Sequence, residues 1–341
     1  MQVTRLADDN KIWDEFVCGA QAGSIFHTTK WKRVIERAFG FHSHYLAVLD
    51  GDRMVGCLPL FFVRNLIVGR ALLSVPFGVA GGICASTDEA SQLLLSEARK
   101  LADDLHADYV EFRHVHPSSL TLPVKELYVT FERELLPDLD KNLEAIPRKQ
   151  RRMVRQGEKH GLHSTLEGIE GLKGFYDIYA ESVRNLGTPV FPYRYFQTVM
   201  EEMAEEAKIL TVWHDGLRIG AVLTFFYGDR VMPFYGGALK AYRAYAANDF
   251  MYWELMRVGC ERGYRLFDFG RSKVGTGAYD FKRHWGFEPR PLPYQYYLRQ
   301  GASMPNVSPT NTKLKPFIEI WKRLPLGITN LIGPRIIRYF P

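Results

Sequence analysis

The chain has 341 residues, a length that favours two domains over one. Its 46% hydrophobic and 24% charged residues are the balance of an ordinary globular protein with an ample core. The net charge of +6 favours an anionic partner such as a nucleotide, a phosphate-bearing lipid precursor, RNA or a membrane surface, without identifying which.

Cysteine usage and the N-terminus indicate the compartment. None of the four cysteines lies in a C-x-x-C spacing, which argues against a disulfide scaffold or a cysteine zinc site and favours a reducing compartment. The first ten residues lack the apolar core of a signal peptide, and no apolar run approaches the ~18 residues that span a bilayer. The sequence therefore predicts a cytoplasmic protein.

The first half of the chain has the pattern of a mixed α/β unit. The residues up to about Phe41 are predicted to be helical. A hairpin is predicted over Tyr45–Val63 around Asp50-Gly51, because Asp-Gly favours a tight turn. A helix over Thr87–Leu105 and a strand over Ala107–Val115 follow.

The second half repeats this order. It has a hairpin over Ile209–Phe226, a strand over Val231–Ala238, a helix over Asn248–Arg262 and a strand over Tyr264–Phe269. We interpret the repetition as an internal duplication of one α/β unit, with two unrelated mixed domains as the alternative.

Two particular matches support the duplication. Val48 and Gly56 in the first hairpin correspond to Val212 and Gly220 in the second at the same offset. The strand D-Y-V-E-F-R (108–113) aligns with R-L-F-D-F-G (265–270), so that an acidic residue stands in the middle of each strand.

Two further segments stand outside this repeat. Pro147–Arg155 is dense in arginine and predicts a helix with Arg148, Arg151, Arg152 and Arg155 on one face, either solvated or in contact with phosphates. After a Pro/Asn/Ser/Thr-rich linker over Gly301–Lys315, the tail Phe317–Phe340 is apolar and basic. Two placements of the tail fit this composition, at a membrane interface or packed on a domain. Pro325 and Pro334 favour packing on a domain, because they interrupt any long amphipathic helix.

Chemistry-bearing residues are densest in Phe267–Phe287, which is F-D-F-G-R-S-K-V-G-T-G-A-Y-D-F-K-R-H-W-G-F. Asp268 lies within a buried strand, where an unpaired carboxylate is costly. A glycine-rich loop and the group Asp280–Trp285 follow it. A core strand with a solvated basic turn would also fit these residue types, so the pattern alone leaves both interpretations open.

The tandem units, F-D-F-G-R-S followed by G-x-Y-x-F-K-x-x-W-G-F, and Tyr235-Gly236-Gly237-Ala238 together resemble the FemABX family of peptidyltransferases. The resemblance extends to about Leu298 and is strongest to the branch associated with exosortase and PEP-CTERM systems. It implies two tandem GNAT-like (acyl-CoA N-acyltransferase-like) domains of mixed α/β (α+β) class, which we place at 1–138 and 139–300, with a linker and tail over 301–341.

The resemblance also implies an activity, the transfer of an aminoacyl group from aminoacyl-tRNA to an amine of an envelope precursor. Lys282 of the Phe281-Lys282 pair would stabilise the oxyanion, since an ammonium placed where negative charge develops is worth several kcal/mol. Asp268 or Asp280 would orient or deprotonate the amine.

The predicted substrate-binding residues come from several segments. Trp31, Lys32 and Arg33 match a segment that contacts the precursor's phosphates, and the Arg148–Arg155 helix matches a basic helix of the second domain. The full set of predicted substrate contacts is Trp31, Lys32, Arg33, Arg148, Arg151, Arg152, Arg155, Arg194, Tyr235, Asn248, Arg271 and Trp285.

Two departures affect the substrates. The family arginine that contacts the nucleotide diphosphate falls at Phe191, with Arg194 three residues later, and the helical hairpin of some members is absent. The loop Arg271–Gly277 has R-x-x-x-G-x-G rather than the Q/R-x-x-G-x-G/A of CoA-binding GNAT enzymes, and follows the wrong element.

These features predict an acyltransferase with no bound cofactor and no metal, whose donor is aminoacyl-tRNA or acyl-CoA and whose acceptor is an anionic small molecule or a lipid-linked precursor. His114 and His116 are predicted to be a surface pair rather than metal ligands. Two alternatives remain: an acyl-CoA-dependent N-acyltransferase acting on an amino sugar, and a non-catalytic GNAT-like scaffold in exopolysaccharide or envelope assembly.

Overall fold

The computed structural model describes residues 1–6, 11–305 and 315–341. Strands, in chain order, are β1 Gln2–Arg5, β2 His42–Asp50, β3 Arg53–Asn65, β4 Gly69–Leu73, β5 Cys84–Ala85, β6 Tyr109–Phe112, β7 Val124–Lys125, β8 Tyr128–Glu134, β9 His163–Glu167, β10 Ala207–His214, β11 Leu217–Tyr227, β12 Arg230–Ala238, β13 Leu266–Asp268, β14 Ser272–Lys273, β15 Pro289–Pro291 and β16 Tyr294–Leu298. The α-helices are α1 Lys11–Gly19, α2 Thr29–Phe39, α3 Asp88–Asp104, α4 Leu139–Glu144, α5 Arg148–Lys159, α6 Leu172–Leu186, α7 Tyr193–Glu202, α8 Ala247–Glu261, α9 Gly277–His284, α10 Lys315–Arg323 and α11 Leu326–Ile337.

The chain forms two compact units, each built on one mixed sheet. The first unit comprises residues 1–128, 291–308 and 338–341, and the second comprises 129–290 and 309–337. The first sheet has the order β1-β2-β3-β4-β6-β16-β7, with β5 beside β3, and the second has the order β14-β8-β13-β12-β11-β10-β9, with β15 beside β8.

The two units repeat one topology, as the sequence predicts. In each, an antiparallel hairpin (β2–β3, β10–β11) is followed by a strand, a helix (α3, α8) and a second strand parallel to the first (β4 with β6, β12 with β13). The corresponding residues also pair in the same way, Val48 with Gly56 and Val212 with Gly220. A register shift follows that pair in both hairpins.

Local sequence signals place most of these elements within a residue or two. Thr87 caps α3 by accepting the N–H of Ala90, and Asp88 and Glu89 lie in the first turn, where the helix dipole favours acids. The prediction of helix up to about Phe41 is confirmed by α1 and α2 but not for the first residues, which form strand β1 and pair with β2.

The predicted domain boundaries differ from the two units because the units exchange one strand each. β8, within the predicted first domain, pairs with β13 in the second sheet. β16, within the predicted second domain, pairs with β6 in the first sheet. Both pairings are antiparallel and join residues far apart in the chain, so no local pattern indicates them.

The tail contains two helices, α10 and α11, that belong to the second unit. Trp321 is fully buried, and Arg184 at the end of α6 donates from Nη1 to the carbonyl of Lys322 at 3.3 Å. The tail therefore packs on a domain, as one of its two predicted alternatives states. Most of the predicted linker, residues 306–314, lies outside the described residues. None of the helices in the described ranges has the length and apolar character needed to cross a membrane.

Candidate active site

The candidate site begins where β13 ends. The Asp268 carboxylate accepts the backbone N–H of Gly270 at 2.7 Å and the hydroxyl of Thr130 on β8 at 3.2 Å. Gly270 has a φ of +69°, a left-handed conformation that suits glycine and turns the chain out of the sheet. Asp268 thereby fixes the turn that follows its own strand.

Lys282 is directed at this same turn from helix α9. Thr276 caps the helix by accepting the N–H of Tyr279. One turn further on, Lys282 Nζ donates to the carbonyls of Gly270 at 2.9 Å and Arg271 at 3.2 Å. Its ammonium also lies 5.6 Å from the centroid of the Phe131 ring.

Burial lowers the pKa of Lys282, a shift that is common among lysines in active sites. Desolvation lowers the pKa of Lys282 to about 8, and the Asp268 carboxylate opposes the shift. The ammonium therefore still predominates at neutral pH but titrates within the range of an enzyme assay. Such a perturbed lysine, held by two carbonyls, is a functional-site signal.

A second carboxylate, Glu132, stands opposite Asp268 across the β8–β13 ladder. Arg230 of β12 donates to it at 2.8 Å and lies 4.0 Å from Asp268, and Arg290 donates to its other oxygen. The pKa of Asp268 is raised by burial and then by the Glu132 charge, while Gly270 N–H, Arg230 and Lys282 oppose the rise.

Glu132 and Arg230 were not predicted from sequence. Glu132 lies on β8, a strand that the sequence places in the first domain. Its partner Asp268 is far away in the chain, so the sequence does not connect the two residues. The one available signal is the acid at alternating spacing on β8, which is too common to single out a site.

Two predicted site residues, Phe281 on α9 and Trp285 directly after it, pack against neighbouring side chains. Trp285 is fully buried, and its indole N–H donates to Asp249 at 3.1 Å, so it does not contact substrate directly. Phe281 is partly buried among Tyr252, Phe269 and Trp285 at centroid distances of 5.5 to 6.3 Å. Both rings orient α9 and thereby Lys282.

The other predicted residues of the second unit range from buried to exposed. Arg271 is partly buried beside Lys282, since it accepts from the ammonium through its carbonyl and its charge lowers the lysine pKa. Tyr235 is buried, with its hydroxyl 2.9 Å from that of Tyr195. Asp280 is exposed at the start of α9 and Asn248 is exposed at the start of α8. The structure therefore brings Lys282, Arg271 and Asp268 together and favours Asp268 over Asp280 as the acid beside the lysine.

The predicted arginine face exists on α5. Gln150, Val154 and Gly157 are buried on its inner side, where Gly157 packs against Phe250 of α8. The outer side carries the predicted arginines, which make no ion pair within the described parts of the chain: Arg148, Arg151, Arg152 and Arg155. Arg194 is exposed on α7.

The remaining predicted contacts lie on α2 of the first unit. Trp31 is fully buried and meets Phe26 edge to face at 4.8 Å, so it is a core residue rather than a substrate contact. Lys32 lies 3.7 Å from Glu36 one helical turn on, and Arg33 is partly buried.

The corresponding acid of the first unit, Glu111, forms an ion pair with an arginine of the same unit. Glu111 accepts from Arg113 Nε at 2.7 Å and from the Tyr296 hydroxyl at 3.1 Å, and Arg113 is itself buried. The prediction of a surface histidine pair is also wrong for His114, because that ring is buried and burial lowers its pKa to about 4. In the second unit the strand acid Asp268 lies beside Lys282 and is not bound by an arginine two residues along its own strand.

Comparison with known proteins identifies the fold. Residues 144–283 match the family model for an acetyltransferase (GNAT) domain. This is a tandem GNAT-like fold. The matched segment runs from α5 through β14 into α9 and ends one residue after Lys282.

Relatives cover nearly the whole chain. A "Lipid II:glycine glycyltransferase" of Staphylococcus haemolyticus (strain JCSC1435) is 21% identical over 92% of this chain and 98% of its own. The crystal structure of FemX superimposes with a TM-score of 0.72 at 17% identity, over 88% of this chain and 98% of that one. The C-terminal domain of a putative lysylphosphatidylglycerol synthetase from Agrobacterium fabrum superimposes with a TM-score of 0.58 at 14% identity, over 87% of this chain and 92% of that one. These likenesses support the resemblance to the FemABX family.

Proposed function

We propose that this protein transfers an aminoacyl group from aminoacyl-tRNA to an amine of a cell-envelope or exopolysaccharide precursor. The observation that carries the proposal is the partly buried Lys282 ammonium, which the Asp268 charge influences and the Gly270 and Arg271 carbonyls hold. The acceptor class rests on the full-length likeness to a lipid II glycyltransferase. The resemblance to the exosortase-associated branch supports an exopolysaccharide acceptor.

Lys282 has a donor available for the reaction. An ammonium carries three N–H groups, and the described residues supply two acceptors, the carbonyls of Gly270 and Arg271. In the proposed reaction the third N–H donates to the carbonyl oxygen of the donor ester. As the acceptor amine attacks the ester carbonyl, the oxygen becomes an oxyanion, and a fixed ammonium stabilises that charge.

Proton transfer completes the exchange of bonds. The attacking nitrogen forms a bond to the carbonyl carbon and loses a proton, and the ester carbon–oxygen bond breaks, so that the ribose oxygen leaves and gains a proton. Asp268 is the base beside Lys282, and its raised pKa suits it to take a proton and return it. Arg230 donates to Glu132 and lies beside Asp268, so it stabilises both carboxylates.

The segment before α8 and the arginines of α5 favour aminoacyl-tRNA over acyl-CoA as the donor. GNAT enzymes cradle the CoA pyrophosphate on backbone amides of a glycine-rich loop at a helix start. Here the segment between β12 and α8 is a 3₁₀ helix, Lys240–Tyr245, without glycine. The exposed arginines of α5 suit a polyphosphate backbone. Because charged tRNA is a cytoplasmic donor, we place the reaction there.

A second candidate is transfer of an acyl group from acyl-CoA to an amino sugar. The match of residues 144–283 to an acetyltransferase domain supports it. The two candidates share the chemistry of Lys282 and differ in donor, so they are separated by supplying each donor alone.

The test uses purified protein, an amine-bearing envelope precursor in its nucleotide-linked form, and either labelled aminoacyl-tRNA or labelled acyl-CoA. We expect label transfer from charged tRNA and a loss of about 100-fold or more in kcat for Lys282→Ala. Lys141→Ala, at an exposed lysine of α4, is the matched control and should keep wild-type turnover. Transfer from acyl-CoA alone would establish the second candidate.

A scaffold without catalytic activity makes the opposite prediction in cells. If Lys282→Ala is present at the wild-type level and the phenotype of a deletion strain is fully restored by it, Lys282 chemistry is dispensable and the enzymatic proposal is wrong.

A further inference from the structure

The two C-terminal helices of the second unit carry apolar side chains on their outer sides as well as their inner sides. On the inner side of α10, Trp321 is fully buried. On the inner side of α11, Gly333 packs so closely on Val190 that a Cβ there would lie 3.0 Å from its backbone nitrogen. These contacts fix the orientation of both helices on the domain.

The outer sides are exposed and apolar. Ile320 on α10 is 61% exposed and Leu331 on α11 is 65% exposed. Phe317 and Ile328, each three positions before one of them, are exposed on the same faces. We call these four residues the C-terminal apolar surface. A helix that only covers a domain presents polar residues to water, so this outer surface requires an explanation.

Neighbouring elements extend the same apolar character. Leu186, the last residue of α6, is 69% exposed, and Tyr193 at the start of α7 is also exposed. Gly187 lies between them in sequence, and a Cβ there would lie 2.4 Å from the Ile318 side chain of α10. The apolar exposure thus continues from the tail onto the α6–α7 connection.

The charges around this surface are basic. Arg335 lies on the face of α11 that carries Ile328 and Leu331, at positions i, i+3 and i+7. Arg323 ends α10 and is exposed. The only acid in residues 316–341 is Glu319, which pairs with Lys322 at 2.7 Å. The surface is therefore apolar and cationic together.

We infer that the C-terminal apolar surface binds the face of an anionic phospholipid bilayer. Insertion of four to six bulky apolar side chains into the headgroup region removes them from water, and Arg323 and Arg335 meet anionic lipid. Charge complementarity decides for a bilayer, because a protein partner would need an acidic rim around an apolar patch. The inference goes beyond the proposed transfer reaction, and it would bring that reaction to the surface where lipid-linked acceptors lie.

The experiment is vesicle flotation with the full-length wild-type protein, without donor or acceptor. Phosphatidylcholine vesicles containing about one-third phosphatidylglycerol are compared with phosphatidylcholine alone. We expect binding to the anionic vesicles that weakens with added salt, and at least about tenfold weaker binding for Leu331→Glu. Arg323→Gln with Arg335→Gln should weaken binding about tenfold or more to anionic vesicles only.

The matched control is Leu66→Glu. Leu66 is 99% exposed in the turn between β3 and β4 of the first unit, so this substitution adds the same charge at an exposed leucine elsewhere. Circular dichroism and thermal melting of each variant confirm that it is folded. The inference is overturned if wild-type protein does not float with anionic vesicles at low salt, or if Leu331→Glu floats as well as Leu66→Glu.

A third outcome identifies a different occupant. If wild-type protein fails to float but self-associates on gel filtration, and Leu331→Glu makes it monomeric, the surface joins two copies of this chain. The outcome does not depend on the transfer reaction, so failure of membrane binding and failure of the proposed activity are distinguishable.

Discussion

At the scale of single residues, the candidate site depends on one relay of hydrogen bonds. Asp268 holds the Gly270 N–H at 2.7 Å, and the Gly270 carbonyl holds the Lys282 ammonium at 2.9 Å. The acid therefore positions the lysine through the backbone in addition to any role as a base. The equivalent acid of the first unit, Glu111, is bound by Arg113 of its own chain segment instead.

The lysine predicts an alkaline limit to activity. Because burial lowers the pKa of Lys282 to about 8, and only the ammonium stabilises an oxyanion, kcat/KM should fall as pH rises through about 8. The measurement is a pH profile with saturating donor. The residual activity of Lys282→Ala should show no limb near pH 8. An unchanged limb in that variant would assign the titration to another group.

The acid limb tests the carboxylate pair. The Glu132 charge raises the pKa of Asp268, so Glu132→Gln should lower it and move the acid limb of kcat/KM to lower pH. Glu134→Gln on the same strand is the control, because Glu134 is exposed and lies opposite Leu266 rather than Asp268. An identical acid limb in wild type and Glu132→Gln would show that Asp268 is not the titrating base.

At the scale of elements, the turn between β13 and β14 positions the carbonyl groups that accept from Lys282. Its conformation requires glycine at one point, since Gly270 has a φ of +69°. A Cβ at that position meets nothing within 4 Å, so any cost of substitution comes from the backbone rather than from crowding.

Gly270→Ala should therefore destabilise the protein by about 1 kcal/mol and shift the Gly270 carbonyl away from Lys282. We expect a melting temperature lower by a few degrees and a larger relative loss in kcat. Gly277→Ala is the matched control, because a Cβ there also meets nothing within 4 Å but its φ is not left-handed. Equal losses for both variants would contradict a conformational role for Gly270.

At the scale of the whole molecule, the sequence predicted what depends on neighbours along the chain. The hairpins over Tyr45–Val63 and Ile209–Phe226, helices α3 and α8 and the repeated α/β order are confirmed, because each has a local pattern. Lys282 and Asp268 lie in one short stretch, so a local motif predicts both.

What the sequence did not predict depends on pairing over long distances. Strands β8 and β16 pair with the sheet of the other predicted domain, so the domain boundaries and Glu132 were missed together. The motif predicts Trp31 and Trp285 as substrate contacts, but both are buried, because a motif cannot distinguish an aromatic residue that faces the core from one that faces a cleft.

The tail offers the last test, since it decides how the chain end is held. Trp321 is fully buried, whereas Phe317 on the same helix is 45% exposed. Trp321→Ala should cost about 3 to 5 kcal/mol, because it removes a large buried side chain and leaves a cavity against the domain. Phe317→Ala should change stability by no more than about 0.5 kcal/mol, as surface substitutions do.

Chemical denaturation of both variants against wild type measures the difference. If α10 packs as described, only Trp321→Ala moves the midpoint substantially, and limited proteolysis of that variant should cleave first within residues 315–337. Equal midpoints for the two variants would mean that α10 is detached in solution. The contrast follows from burial, because α10 presents the Trp321 ring to the core and the Phe317 ring to solvent. Trp321→Ala therefore tests the packing of the tail on the domain, and Phe317→Ala tests its exposed apolar surface.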